Sequence, residues 1–327
     1  MAITITDVAK HAGVSHTTVS WVIHDDPRIT DKTKEKVLKS IAELDYHPNY
    51  TARSLVKGKS NNIALVAPFF SSSFEMDILK GIEDGMDESD GHLSISMYST
   101  RGEDTKVLTQ ILRGRRADGA ILLTIRPDDS IVRQYNSNGI PLILIEEEAE
   151  ESHVIRTNNV EGAYLAVSHL LDRGRKRIAL AVETDEPGLS QIDRQKGYIK
   201  ALEEKGIGFE NDLVIPINRF RFEEGQEIFP RIREKKADAV FCAAGDMIAM
   251  GILLEARKQN IAVPEELAVV GFDDSHMCEL VYPSLSTVRQ PLNQMGRKAW
   301  ELATTLKKGA PPEKVIFEPQ FIKRDST

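Results

Sequence analysis

Residues 11–23 read HAGVSHTTVSWVI, and the fold of the N-terminal part turns on them. Ala12 and Gly13 carry almost no side chain, so two helices can meet there through a tight turn, as in a helix-turn-helix. Before the turn, Thr4 is placed to N-cap a first helix whose Ile5, Val8, Ala9 and Ala12 recur at helical spacing and form one apolar face. After it, Ser15 can cap a second helix that carries Val19, Val22 and Ile23 inward and exposes His16, Thr17 and Trp21. Thr30 opens a third helix with Val37, Ile41 and Leu44 inward. A compact three-helix head is expected. The stretch alone leaves two uses open, reading DNA or closing a small bundle.

Charge separates this head from the rest. The chain has 327 residues and a net charge of −8, which argues against a protein that coats nucleic acid along its whole surface. Residues 1–60 nevertheless hold 9 Lys and Arg against 7 Asp and Glu, and four of the eight histidines, whereas the remainder holds 33 against 43. The head can approach phosphate and the body is repelled by it. No apolar run long enough to span a membrane occurs, and the N-terminus MAITITDVAKHAG lacks a basic start followed by an apolar core; a cytoplasmic protein is expected. Cys242 and Cys278 lack CxxC spacing and neighbouring histidines, so they read as structural thiols, with no metal and no cofactor implied.

Beyond residue 60 apolar runs alternate with amphipathic stretches: NIALVAPF, then FEMDILKGIEDGM, and later RIALAV, then QKGYIKALEEKG. This alternation predicts parallel strands with helices on both faces of the sheets. NNIALVAP is echoed by RKRIALAV, and GRRADGAILLT by EKKADAVFCAA. Two similar α/β lobes follow, with a ligand cleft near the carboxyl ends of their strands. Between head and lobes, PNYTARSLVKGKS (48–60) is too short for a stable isolated helix and reads as a linker that becomes helical when held.

The head TITDVAKHAGVSHTTVSWVI, the segment HPNYTARSL, the stretch NNVEGAYLAVSHLLDRGRKRIAL and the run AVVGFDD followed by PSLSTVRQP together resemble the LacI/GalR family of bacterial transcriptional repressors, in order along the whole chain. The resemblance implies a small all-α helix-turn-helix head (1–47), a hinge helix (48–58) and a two-lobed core like that of periplasmic sugar-binding proteins (59–327). The first lobe would hold about 59–158 and 289–318, the second about 159–288 and 319–327. It further implies a homodimer on a palindromic double-stranded DNA operator. No leucine heptads follow the core, so a tetramerisation tail is not expected.

In such a head the second helix lies in the major groove with its N-terminal residues toward base edges. His16, Thr17 and Trp21 are therefore the base-reading candidates, against the alternative that they are solvated or packed on the bundle. Trp21 stands where many members carry arginine. Indole cannot make arginine's paired hydrogen bonds to guanine, so a different half-site is expected. Thr4, Ser15, Thr18 and Ser20 are candidates for the DNA backbone. In the hinge, Asn49 is the helix cap and Arg53 a phosphate contact, and Leu55 matches the residue that wedges between base pairs from the minor groove.

For the core, the resemblance assigns Arg194 to ligand hydroxyls or carboxylate, Asp273 to vicinal hydroxyls, and Phe220 to stacking on a ligand ring. Phe74, Glu146 and Gly245 match further pocket positions. Asp246 reads as a pocket residue that more simply caps its helix, and Asn158 departs from a commoner aspartate. Stacking plus charged acceptors and a forked donor suit a carbohydrate effector; a purine base or a protein cue is the alternative. An enzyme acting on sugar would share the architecture, but GxSxG, HExxH, GxxxxGK[ST] and GxGxxG do not occur. The chain is expected not to be an enzyme.

Overall fold

The structure, a computed structural model of the chain, describes residues 3–23, 26–46, 60–88 and 93–327. These fall into two compact units, 1–60 and 61–327.

In the first unit the helices are Ile5–His11, His16–Ile23 and Asp31–Glu43. Thr4 and Asp7 close a capping box, each side chain bonded to the other's backbone N–H, which satisfies amides that the first helical turn leaves unpaired. Ser15 Oγ accepts the Thr18 N–H at 3.1 Å, so the second helix is capped as its sequence indicates. Thr30 occupies the third cap position, with its hydroxyl 3.0 Å from that of Thr33 and no bond to the backbone. Val8, Ala9, Ala12, Val19, Val22 and Val37 form the buried core, with Ile5, Ile23, Ile41 and Leu44 packed around it.

The second unit contains two sheets. The first runs β11-β5-β4-β3-β1-β2, with β1 at Asn62–Ala67, β2 at Ser94–Ser99, β3 at Gly119–Leu123, β4 at Leu142–Ile145, β5 at His153–Thr157 and β11 at Lys314–Phe317, every pairing parallel. The second runs β7-β6-β8-β9, with β6 at Ile178–Glu183, β7 at Val214–Ile217, β8 at Ala239–Cys242 and β9 at Ala268–Val270, again parallel. An antiparallel pair, β10 (Thr287–Arg289) and β12 (Gln320–Ile322), completes the second lobe. Strands buried on both faces need continuous apolar runs, which is why NIALVA and IALAVE lack polar alternation.

The sequence echo is an echo of topology. β1 lies between β2 and β3 as β6 lies between β7 and β8. Each echoed Ala-Asp pair also does the same work: Asp118 accepts the N–H of Asn61 before β1, and Asp238 accepts those of Lys176 and Arg177 before β6. The chain passes from the first sheet to the second after β5, returns after β10 and passes again after β11. Within the second lobe, Gly197 sets a close helix approach. A Cβ there would lie 2.1 Å from the Val160 carbonyl oxygen, so only glycine lets helix Leu189–Glu204 seat against helix Asn159–Asp172 and bring Arg194 beside Asn159.

Candidate functional site

On the head, His16, Thr17 and Trp21 are all exposed on the second helix. Trp21 is not bare, however. The Arg28 guanidinium lies 4.6 Å from its ring centroid, and Arg28 is in turn held by Asp26 through bonds of 2.9 and 2.7 Å. That paired contact holds the Asp26 carboxyl down at about 2. The tryptophan thus presents one face to its surroundings and the other to a cation, an arrangement that sequence spacing did not reveal. Ser15 and Thr18 place their hydroxyls 2.9 Å apart at the helix start, and the Thr4 hydroxyl donates to Asp7 at 2.6 Å. These hydroxyls are committed to capping first. Asn49, Arg53 and Leu55 lie outside the described residues.

In the core, a cavity of about 670 Å³ is lined by residues at the carboxyl ends of strands in both sheets. Phe74, Glu146, Arg194, Phe220, Gly245, Asp246 and Asp273 all line it. The two aromatic rings come from opposite lobes: Phe74 belongs to the first lobe's core, and Phe220 packs against that of the second.

Arg194 is fixed before any ligand arrives. Its Nε donates to Asn159 Oδ1 at 2.8 Å and Nη1 to the Ala243 carbonyl at 2.7 Å, while the guanidinium carbon lies over the Phe272 ring, 3.6 Å from the centroid. Nη2 faces Asp273 Oδ1 at 4.0 Å. Burial works against charge on both partners, pulling Arg194 down and pushing Asp273 up. A guanidinium keeps its proton throughout the working pH range, so Asp273 is the member that titrates. Gln290 donates to Asp273 at 2.6 Å and receives the Thr157 hydroxyl at 2.8 Å. Glu146, at the end of β4, accepts the Thr157 N–H at 2.6 Å and the Asn159 side-chain N–H. Polar groups of two of the three crossings, those after β5 and β10, are therefore tied to the cavity wall.

Asp246 departs from the expected helix cap. Gly245 holds that position with φ of +107°, a conformation that favours glycine, and Asp246 is the first helical residue. Its carboxylate turns inward to the Ser275 N–H at 2.8 Å and the Thr287 hydroxyl at 2.6 Å, and burial pushes it up to about 6. Asn158 is itself a helix cap, accepting the Glu161 N–H, and its amide donates to Glu318; it does not line the cavity. Its departure from aspartate therefore leaves the cavity's charge unchanged.

Asn159, Gln290, Gln191 and Glu147 contribute to the site without having been singled out in the sequence. Gln191 donates to the Ala243 carbonyl at 3.2 Å. Glu147, on the first lobe, accepts the Leu189 N–H of the second lobe at 2.9 Å. The available signals were the position of Asn159 at a lobe crossing and the neighbourhood of Glu147 to Glu146. Among the described residues no cluster of His, Cys, Asp and Glu could hold a metal ion, and no helix is long and apolar enough to cross a membrane.

Comparison with known proteins gives matches at both ends of the chain. Residues 4–49 match the description "Bacterial regulatory proteins, lacI family", and residues 167–327 a periplasmic binding protein-like domain. The HTH-type transcriptional regulator DegA of Bacillus subtilis (strain 168) is 33% identical, with 100% of this chain and 98% of DegA covered. A solved complex of the transcriptional regulator CelR with cellobiose superposes with a TM-score of 0.72 at 26% identity, covering 99% of this chain and 100% of that one. The lac repressor dimer bound to operator and the anti-inducer ONPF gives 0.85 at 23% identity, covering 100% and 99% respectively, a likeness of fold.

Proposed function

The chain belongs to the lacI family of bacterial regulatory proteins, and from that premise we propose that it is a cytoplasmic, homodimeric repressor whose grip on a palindromic operator is set by a small carbohydrate bound between the core lobes. The observation that carries this reading is the cavity itself. The Nη2 end of Arg194, the end not bonded to Asn159 or Ala243, and an acceptor, Asp273, converge there with Phe74 and Phe220, one ring from each lobe. A saturated polyhydroxylated ring matches that set: its C–H faces suit the aromatics and its hydroxyls suit donors and acceptors. CelR, with cellobiose bound, is a relative with such a ligand.

In this reading residues 1–47 read the operator, 48–58 form the hinge and 59–327 sense the ligand. His16, Thr17 and Trp21 face bases; Ser15, Thr18, Ser20 and Thr4 lie toward the DNA backbone; Asn49, Arg53 and Leu55 act in the hinge. The ligand binds without turnover. Because the lobe crossings are bonded to cavity residues, occupancy alters the relative setting of the lobes and hence the spacing of the two hinges.

The test is a thermal-shift screen of the full chain with neutral mono- and disaccharides, sugar phosphates and purines, since a ligand bound only to the folded state raises the melting temperature by mass action. A shift from a carbohydrate that Asp273→Ala removes supports the reading. A shift from purines alone would replace the carbohydrate with a base.

A further inference from the structure

The recognition groups of the cavity occur twice. The first set is Asp273, the Nη2 end of Arg194, and the rings of Phe74 and Phe220. The second is Asp104, Arg126, Phe69 and Ile192, which line the same cavity and take no part in the bonds that fix the first. Phe69 comes from the first lobe and Ile192 from the second, and both are open for apolar side chains, at 39% and 38% exposure, whereas Phe74 is buried.

Sheet order separates the two sets. Strands β4, β3, β1 and β2 lie side by side in the first sheet. The first-lobe wall of the cavity runs from Glu146 just past β4, through Arg126 past β3 and Phe69 past β1, to Asp104, which opens the helix after β2 (Asp104–Arg113). Three strand spacings amount to roughly 14 Å, longer than a single pyranose with its hydroxyls. The Arg194 set is anchored at the β4 end of that wall, since Asn159 joins Arg194 to Glu146. Asp104 stands at the other. The Pro68 carbonyl accepts the Ser99 hydroxyl at 2.8 Å and the Arg101 N–H at 3.3 Å, which ties the chain just before Phe69 to the loop that leads to Asp104.

The second set is also uncommitted. Asp104 forms no hydrogen bond through its carboxylate and no ion pair among the described residues, and its Oδ1 is closed off from water without a partner. An acceptor held in that way is costly, and the cavity beside it is where a donor can enter. Arg126 is exposed, and apart from the pull of its charge on Glu147 it has no hydrogen bond or ion pair among the described residues.

We propose that the effector is a disaccharide, whose inner ring lies against Phe74 and Phe220 at the Arg194 and Asp273 end and whose outer ring covers Phe69, donating hydroxyls to Asp104 and accepting from Arg126. This rests on the carbohydrate reading and narrows it. The C–H face of the outer ring removes exposed apolar surface from water, and its hydroxyls complete charged groups that have no partner within the chain.

The test measures the calorimetric Kd of the full chain for glucose and galactose and for the disaccharides maltose, cellobiose, trehalose, lactose and melibiose. The expected result is that at least one disaccharide binds roughly tenfold or more tighter than each monosaccharide it contains, the gain of about one hydrogen bond to a charged group. Phe69→Ala and Asp104→Ala should each remove most of that gain and leave monosaccharide binding as in wild type, with melting curves confirming that the variants fold. Disaccharides that bind no tighter than their monosaccharides, or a gain that survives both substitutions, overturn the two-ring effector and leave the carbohydrate reading standing. No binding by sugars of either size removes the carbohydrate reading itself, and this inference with it.

Discussion

Asn159, the first residue of its helix, gives its side-chain N–H to the Glu146 carboxylate and receives Arg194 Nε on Oδ1 at 2.8 Å. One side chain therefore serves an acid at a strand end of the first lobe and a base in the wall of the second. Asn159→Ala leaves a buried guanidinium and a buried carboxylate each short of a partner. The expected cost is about 2–4 kcal/mol of stability, measured as a lower urea midpoint, together with weaker ligand binding. A midpoint unchanged from wild type would mean that water or a rearranged Arg194 takes over both bonds.

Stability should depend on pH through Asp273. A carboxyl whose folded pKa is raised keeps a proton that the unfolded chain has already lost, so raising pH from the ordinary carboxylate range toward neutrality favours unfolding. Burial raises Asp273 in this way. His153 and His169, pulled down by burial, act oppositely, gaining stability as pH rises toward their ordinary range. A comparison between variants isolates the acid. The melting temperature of wild type relative to Asp273→Asn should fall between about pH 5 and about pH 7.5; a constant difference would show that Asp273 ionises normally.

Trp21 sits on the exposed face of the second helix with Arg28 behind it. Indole offers apolar contact with a thymine methyl or a sugar, whereas arginine pairs with guanine. Selection of operators from a random library should give a half-site without guanine at the Trp21 position. Trp21→Arg should introduce guanine there, with about 1–3 kcal/mol of new discrimination. An identical consensus for both proteins would remove Trp21 from base reading.

The head was legible because its signals are local. Thr4 and Ser15 cap their helices within three residues, and the apolar spacing of Val8, Val19 and Val37 fixes the core. The parallel sheets were legible for a similar reason, since a strand buried on both faces must be an unbroken apolar run. Asp246 was misread because its partners, Ser275 and Thr287, come from chain 29 and 41 residues away. Gly245 supplied the cap through its backbone alone. The bonds of Gln290 to Thr157 and Asp273 span 133 and 17 residues, distances over which spacing carries no information. The gathering of carboxyl groups around the cavity was hidden likewise, because they are scattered from Glu75 to Asp273 and only folding brings them together.

Leu55 carries a prediction from the family resemblance. Leu55→Ala should weaken binding to the selected operator by roughly tenfold or more, because an apolar wedge offsets the cost of opening the minor groove. Binding to unrelated DNA should change little, since that depends on phosphate contacts. Equal losses on both DNAs, in parallel titrations at fixed salt, would remove the wedge.

The central claim is that a small molecule in the core cavity controls the operator affinity of the head. The most direct measurement is fluorescence anisotropy of labelled operator with the full chain, with and without a compound that raises its melting temperature, repeated with Asp273→Ala. The account predicts a change in Kd of roughly fivefold or more for wild type, and ligand-free affinity near wild type with no ligand effect for the variant. A compound that binds the wild-type cavity tightly yet leaves operator affinity unchanged would contradict it.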